Sequence, residues 1–148
     1  MRREPTLRER ALRLLARREH SRSELARKLK AHEPPEGELD ALLEELSKRK
    51  LLSDERYAES RAHVLSRKFG AARIAQELRA KGVDKSLAED ASAAARSTEV
   101  ERARAVWLRK FRTPPENREE RARQMRFLQS RGFSFDAIRA VIRGADED

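Results

Sequence analysis

Arg10, Arg13 and Arg17 recur at intervals of three and four residues, which lines three guanidinium groups along one face of a helix. A second set, Arg73, Arg79 and Lys81, and a third, Arg123, Arg126 and Arg131, lie farther along the chain. Guanidinium forks match phosphate oxygens, so these side chains are candidates for contact with nucleic acid or with a filament that contains it. Asp40, Glu44 and Glu45 offer the opposite charge, and on a helix they could meet basic groups of a protein partner. Arg outnumbers Lys by 27 to 8, a bias that suits phosphate binding and that a GC-rich genome would equally produce.

Other chemistries find no support. His20, His32 and His63 lie far apart, none with a second ligand at helical spacing, and read as packing or surface residues rather than metal ligands. The neighbouring carboxylates Glu44-Glu45 and Asp54-Glu55 fall on different helix faces, which fits caps and solvated surface better than an acid–base pair. The five glycines are isolated, so no loop cradles phosphate, and with no cysteine there is no disulfide, thiolate nucleophile or thiolate metal site. The expectation is a non-enzymatic protein that needs no cofactor.

The elements that must position these charges are helices. Hydrophobic residues make up 38% of the chain against 41% charged, which leaves one apolar stripe per helix and thin cores. No window approaches the roughly 18 apolar residues of a membrane span, and MRREPTLRER lacks the apolar stretch of a signal peptide, so a cytoplasmic protein without a membrane partner is expected. Capping boxes at Thr6–Glu9, Ser21–Glu24, Thr98–Glu101 and Thr113–Glu116 open helices, as do Ser53 or Asp54, Asp84 and Ser134. The helices carry Leu25 and Leu29; Leu39, Leu42, Leu43 and Leu46; Tyr57, Ala58, Val64 and Leu65; Ile74 and Leu78; Val100, Ala103, Trp107 and Phe111; Met125 and Leu128; Ile138, Val141 and Ile142. Gly82 suits a left-handed C-terminal cap, and Gly144 is expected to end the last helix.

The chain also repeats itself. LRAKGV at 78–83 aligns with LQSRGF at 128–133, and a fainter copy precedes both, giving about three units of some fifty residues. The expected organisation is an all-α array of three tandem three-helix repeats, 1–52, 53–97 and 98–144, with a frayed tail at 145–148. Charge follows the repeat. Segments 1–32, 54–82 and 99–132 carry net +7, +3 and +5, while 33–53, 83–98 and 133–148 carry −3, −1 and −2, within an overall +9. The first two helices of each unit are thus basic and the third acidic, which favours a polyanionic partner for one side of the molecule.

These residues resemble the RecX family of recombination regulators. The resemblance rests on LLSDERYAESRAHVLSRKFGAARIAQELRAKGV (51–83), on RFLQSRGFSFDAIRAVI (126–142) and, more faintly, on SRSELARKLKAH (21–32). It implies an elongated, curved molecule that lodges in the groove of a RecA-type recombinase filament on single-stranded DNA, and a monomer is expected. There it would restrain ATP hydrolysis, strand exchange and coprotease activity. The first unit departs from the pattern, with Ala31-His32-Glu33-Pro34-Pro35 where a Lys-Gly cap would be usual. A rival reading is a direct DNA-binding regulator of helix-turn-helix type, acting without a recombinase. The residues opening the second helices, Arg22, Ser23, Ala71, Ala72 and Arg73, suit phosphate contact better than base readout.

Overall fold

The computed structural model describes residues 3–147, and among them it holds nine α-helices, one 3-10 turn and no strand. Helices α1 (Leu7–Arg17), α2 (Arg22–Lys30) and α3 (Glu38–Lys48) enclose a leucine core of Leu25, Leu29, Leu42, Leu43 and Leu46. Helices α4 (Asp54–Leu65), α5 (Ala71–Ala80) and α6 (Lys85–Ala93), the last extended by the 3-10 turn Ala94–Arg96, close over Tyr57, Ile74 and Leu78. Helices α7 (Glu99–Lys110), α8 (Arg118–Ser130) and α9 (Phe135–Glu147) surround Trp107, Leu128, Ile138 and Ile142. Each group of three therefore buries its own apolar stripes, as the all-α expectation requires. Leu29, Leu78 and Leu128, one from the second helix of each group, are all fully buried.

Most of the caps form from the residues expected. Thr6, Ser21, Ser53, Asp84 and Ser134 each accept a hydrogen bond from a backbone N–H two or three residues on. Two of the expected caps do not form. The helix expected to open at Thr113–Glu116 starts instead at Arg118, where Asn117 accepts from the Glu120 N–H at 2.9 Å. Each of the two prolines disfavours helical geometry in the residue before it, so Thr113 and Pro114 stay outside the helix and the first competent cap takes over. Thr98 does precede α7, but its hydroxyl accepts from Arg102 Nε at 3.0 Å and caps nothing.

Two stripe residues lie outside the cores: Val64 is 49% exposed and Val100 37%. Helix α9 also passes through Gly144 to Glu147, because that glycine does not take the left-handed conformation that would stop it. Of the tail expected to fray, Asp148 lies outside the described residues.

The repeats are joined by the same construction twice. At each joint the turn that ends the second helix of the later repeat docks on the start of the second helix of the earlier one. Gly82, at φ +86, sits so close to α2 that a Cβ there would lie 2.3 Å from Ser23 Cβ; Gly132, at φ +85, would meet Arg73 Cβ at 2.2 Å. The carbonyl before each glycine is bonded across the joint: Lys81 O accepts from Ser21 Oγ at 2.8 Å, and Arg131 O accepts from the Gly70 N–H at 2.8 Å.

In the first repeat the corresponding residue is Glu33, which takes the left-handed conformation at φ +50 without being glycine. The missing Lys-Gly cap is therefore a change of residue and not of backbone shape. The Glu33 side chain is exposed.

Two outcomes are expected in denaturation experiments. Leu78→Ala and Leu128→Ala should each cost about 2 to 5 kcal/mol, the range for emptying a close-packed core site. Gly132→Ala should cost more than the roughly 1 to 2 kcal/mol of a left-handed non-glycine residue, because its Cβ also strikes α5, whereas Glu33→Gly should be neutral or slightly stabilising.

Candidate nucleic-acid and partner interface

The joints decide which charges are free. In both, a carboxylate at the first position of the later repeat's first helix caps the second helix of the earlier repeat. Asp54 Oδ1 accepts from the Arg22 N–H at 2.7 Å, and Glu99 Oε1 accepts from the Ala71 N–H at 2.8 Å. An acid there satisfies an orphan donor and complements the positive end of the helix dipole. Gly70 offers α5 no side-chain cap, so Glu99 replaces it from across the joint, while its other oxygen takes the Ser134 N–H at 3.4 Å. Glu99 is only 6% exposed, and Arg102 lies one turn on. Arg102 donates to the carbonyls of Ser66 at 2.7 Å and of Phe69 and Ala95 at 2.5 Å. Burial lowers its pKa from the ordinary guanidinium value, and Glu99 acts in the opposite sense.

The first joint is rich in ion pairs. Arg18 grips Glu24 with both terminal nitrogens, at 3.0 and 2.8 Å. Glu24 thus serves Arg18 rather than completing its capping box, and that contact holds its pKa down to about 2. His20 is a buried packing residue. Its Nδ1 lies 3.1 Å from the Arg18 carbonyl and its Nε2 3.0 Å from Lys28 Nζ, which fits a neutral ring donating to the one and accepting from the other; burial lowers its pKa accordingly. His32 and His63 are exposed.

The predicted basic residues fall in three places. Arg13 and Arg17 are exposed on α1, with Arg10 half-buried beside them. Arg79 is exposed near the end of α5, and Lys81 lines a cleft at the first joint together with Arg18, Glu24, Tyr57 and Arg61. Arg73 and Arg131 meet on the Phe69 ring at the second joint, Arg73 also pairing with Glu77 at 3.0 Å, while Arg123 lies over Phe111 within repeat three and Arg126 is exposed on α8.

The predicted acids lie on α3. Asp40 is exposed, Glu44 reaches Arg22 at 3.7 Å, and Glu45 pairs with Arg8 and, at 3.6 Å, with Arg49. Glu44 remains 61% exposed, and exposed pairs of this kind hold little energy.

At the second joint cations and phenylalanine rings alternate. Arg73 lies 5.0 Å from the Phe69 ring centre, Arg131 lies between Phe69 and Phe127 at 5.6 and 5.1 Å, and Lys110 lies over Phe127 at 5.5 Å. Phe127 meets Phe111 edge-on, and Arg123 lies over Phe111 at 5.7 Å. Phe127 and Val106 also line an open pocket of about 270 Å³ with Lys68, Arg109, Lys110 and Arg131. Sequence reasoning missed Lys68, Arg109 and Lys110 as site residues. The available signal was the pairing of a cation with the following phenylalanine in Lys68-Phe69, Lys110-Phe111 and Arg126-Phe127.

Among the described residues no helix is long and apolar enough to cross a membrane, and no group of His, Asp and Glu could hold a metal ion.

Comparison with known proteins gives a consistent result. Residues 8–46, 53–91 and 97–142 match the first, second and third three-helix domains of RecX. The regulatory protein RecX of Leptothrix cholodnii is 50% identical over 143 residues, covering 97% of this chain and 91% of that one. That of Ralstonia pickettii is 43% identical, covering 96% and 89%. The crystal structure of RecX from Lactobacillus salivarius superposes with a TM-score of 0.83 at 23% identity, covering 96% of both chains.

The Arg18–Glu24 contact gives a pH signature. Its carboxyl is lowered in the folded state relative to the ordinary value of 4.5, so the stability it contributes is present above pH 4.5 and is lost as pH falls towards 2. Glu24→Gln should reduce the loss of stability across that interval, measured by urea denaturation at successive pH values, while lowering stability at neutral pH.

Proposed function

Because this chain belongs to the RecX family of regulatory proteins, we propose that it acts on a RecA-type recombinase, entering the groove of the recombinase filament on single-stranded DNA and restraining ATP hydrolysis, strand exchange and coprotease activity. Work of this kind needs no bond-making residues. It needs a shaped surface with two kinds of charge, basic towards the strand and acidic towards the protein.

The observation that carries the reading is the contrast between the two joints. At the first, Arg18 is matched by Glu24 and Arg56 by Glu19, leaving Arg61 and Lys81 in the cleft without an ion pair to a described carboxylate. At the second, Arg73 pairs with Glu77 at 3.0 Å, but no described carboxylate within ion-pair distance neutralises Lys68, Arg109, Lys110 or Arg131, and the Phe127 ring holds two of these four. Charge left without an internal partner is charge available to an external one. Arg10, Arg13 and Arg17 on α1 would extend contact with the polyanion, and Asp40, Glu44 and Glu45 on α3 would face basic groups of the recombinase.

The packing weighs against direct reading of a DNA groove by the second helices. The starts of α2 and α5, where such a reader presents its side chains, lie against Gly82 and Gly132 of the following repeat.

The deciding measurement is single-stranded-DNA-dependent ATP hydrolysis by the cognate recombinase with and without this protein. Inhibition is expected, and unchanged hydrolysis at saturating protein would remove the reading. Charge variants separate the two faces. Replacing Arg10, Arg13 and Arg17 with Ala should flatten the log–log salt dependence of binding to free single strands by up to about 2, at about 0.7 per phosphate contact. Reversing Asp40, Glu44 and Glu45 to Lys should weaken inhibition while leaving free-strand binding unchanged or stronger, with circular dichroism checking that α3 persists.

A further inference from the structure

The pocket at the second joint is assembled from both repeats. Lys68 comes from the segment between α4 and α5, Arg109 and Lys110 from the end of α7, and Phe127 and Arg131 from the end of α8. Four cations thus converge on about 270 Å³ of open space, and no described carboxylate forms an ion pair with any of them. Self-repulsion in such a cluster is relieved when an anion binds among the cations.

The cations are also held in place. Arg131 is half-buried between the Phe69 and Phe127 rings, Lys110 lies over Phe127, and Arg109 donates to the Arg67 carbonyl at 3.3 Å. A long side chain pinned in this way gives up less rotamer freedom on binding than one waving in solvent, so the positions are prepared before a ligand arrives.

The geometry points to this pocket as a phosphate site for single-stranded nucleic acid, seating one phosphodiester across the seam between repeats two and three. The assignment rests on the proposed action on a DNA-bound filament and names the place where the strand itself is held. A phosphodiester rather than an acidic side chain is assigned because the proposed partner carries a single strand and guanidinium forks match phosphate oxygens. Since the cations come from two repeats, an occupied pocket also ties those repeats together.

The test uses the full chain and a fluorescent oligo-deoxythymidine titrated at several salt concentrations. Arg109→Ala with Lys110→Ala removes two exposed cations and no core atom, and it should weaken binding and make the log–log salt slope shallower by about 1.4, two contacts at about 0.7 each. A charge-matched control, Lys85→Ala with Arg96→Ala, should leave that slope unchanged. Phe127→Leu keeps every charge but releases Arg131 and Lys110; it should weaken binding without changing the slope, in a variant whose thermal transition remains cooperative.

Failure of the wild type to bind the oligonucleotide even at low salt overturns the assignment, as does binding by the Arg109/Lys110 variant that matches wild type. Displacement by inorganic phosphate or a nucleoside triphosphate as effectively as by unlabelled strand would make it a small-anion site instead. Selective loss of affinity for a poly-glutamate peptide would assign it to a protein partner. If the variant binds strands like wild type while wild type still inhibits the recombinase, the pocket assignment falls and the regulatory reading stands.

Discussion

The structure depends on one exchange made at both joints: a helix that begins a repeat lends its first carboxylate to the helix that lies second in the repeat before. Asp54 closes α2 in this way and Glu99 closes α5. The exchange fixes the spacing between neighbouring units, because the donor and acceptor are backbone and short side chain, with little slack. It also explains why small residues surround it. Ser21 and Gly70 start the second helices, and Gly82 and Gly132 reach down to them so closely that no Cβ fits at either glycine. Small separate cores of seven to ten buried residues would be marginal alone, and the joints add the contacts that hold them in register.

Much of this was legible because it is local. The repeat could be read from Leu78 and Leu128 with the glycines that follow them, and caps such as Thr6, Ser21 and Asp84 act within four residues of themselves. What failed was local competition that the rule for a capping box does not weigh. Thr113 had the right residues after it, but two prolines and a better-placed Asn117 decided the start of α8. Glu24 had the right position, but Arg18 engages both of its oxygens.

The candidate interface was legible in kind and not in place. Charge alternation named Arg73 and Arg131, yet their convergence on Phe69 depends on the starts and ends of helices meeting across a joint, which no window of sequence contains. Asp54 and Glu99 posed the same difficulty. Each reads as an ordinary acid in a first helical turn, and nothing nearby says that its partner lies 32 or 28 residues earlier. Glu44 and Glu45, assigned to an outside partner, also have arginines of their own repeat within reach.

Glu33 bears on how long such an array can grow. The backbone turn that unites the repeats is present at the first unit too, left-handed and exposed. Were it glycine, that turn could fill, on a second molecule, a socket like those that Gly82 and Gly132 fill within this one, and chains could add head to tail by the same internal rule. A glutamate there places a Cβ and a charge where the neighbouring helix would have to lie, and Pro34-Pro35 stiffens the segment behind it. The side chain at this one turn therefore opposes, at the first repeat, the close contact that joins the later repeats to their neighbours.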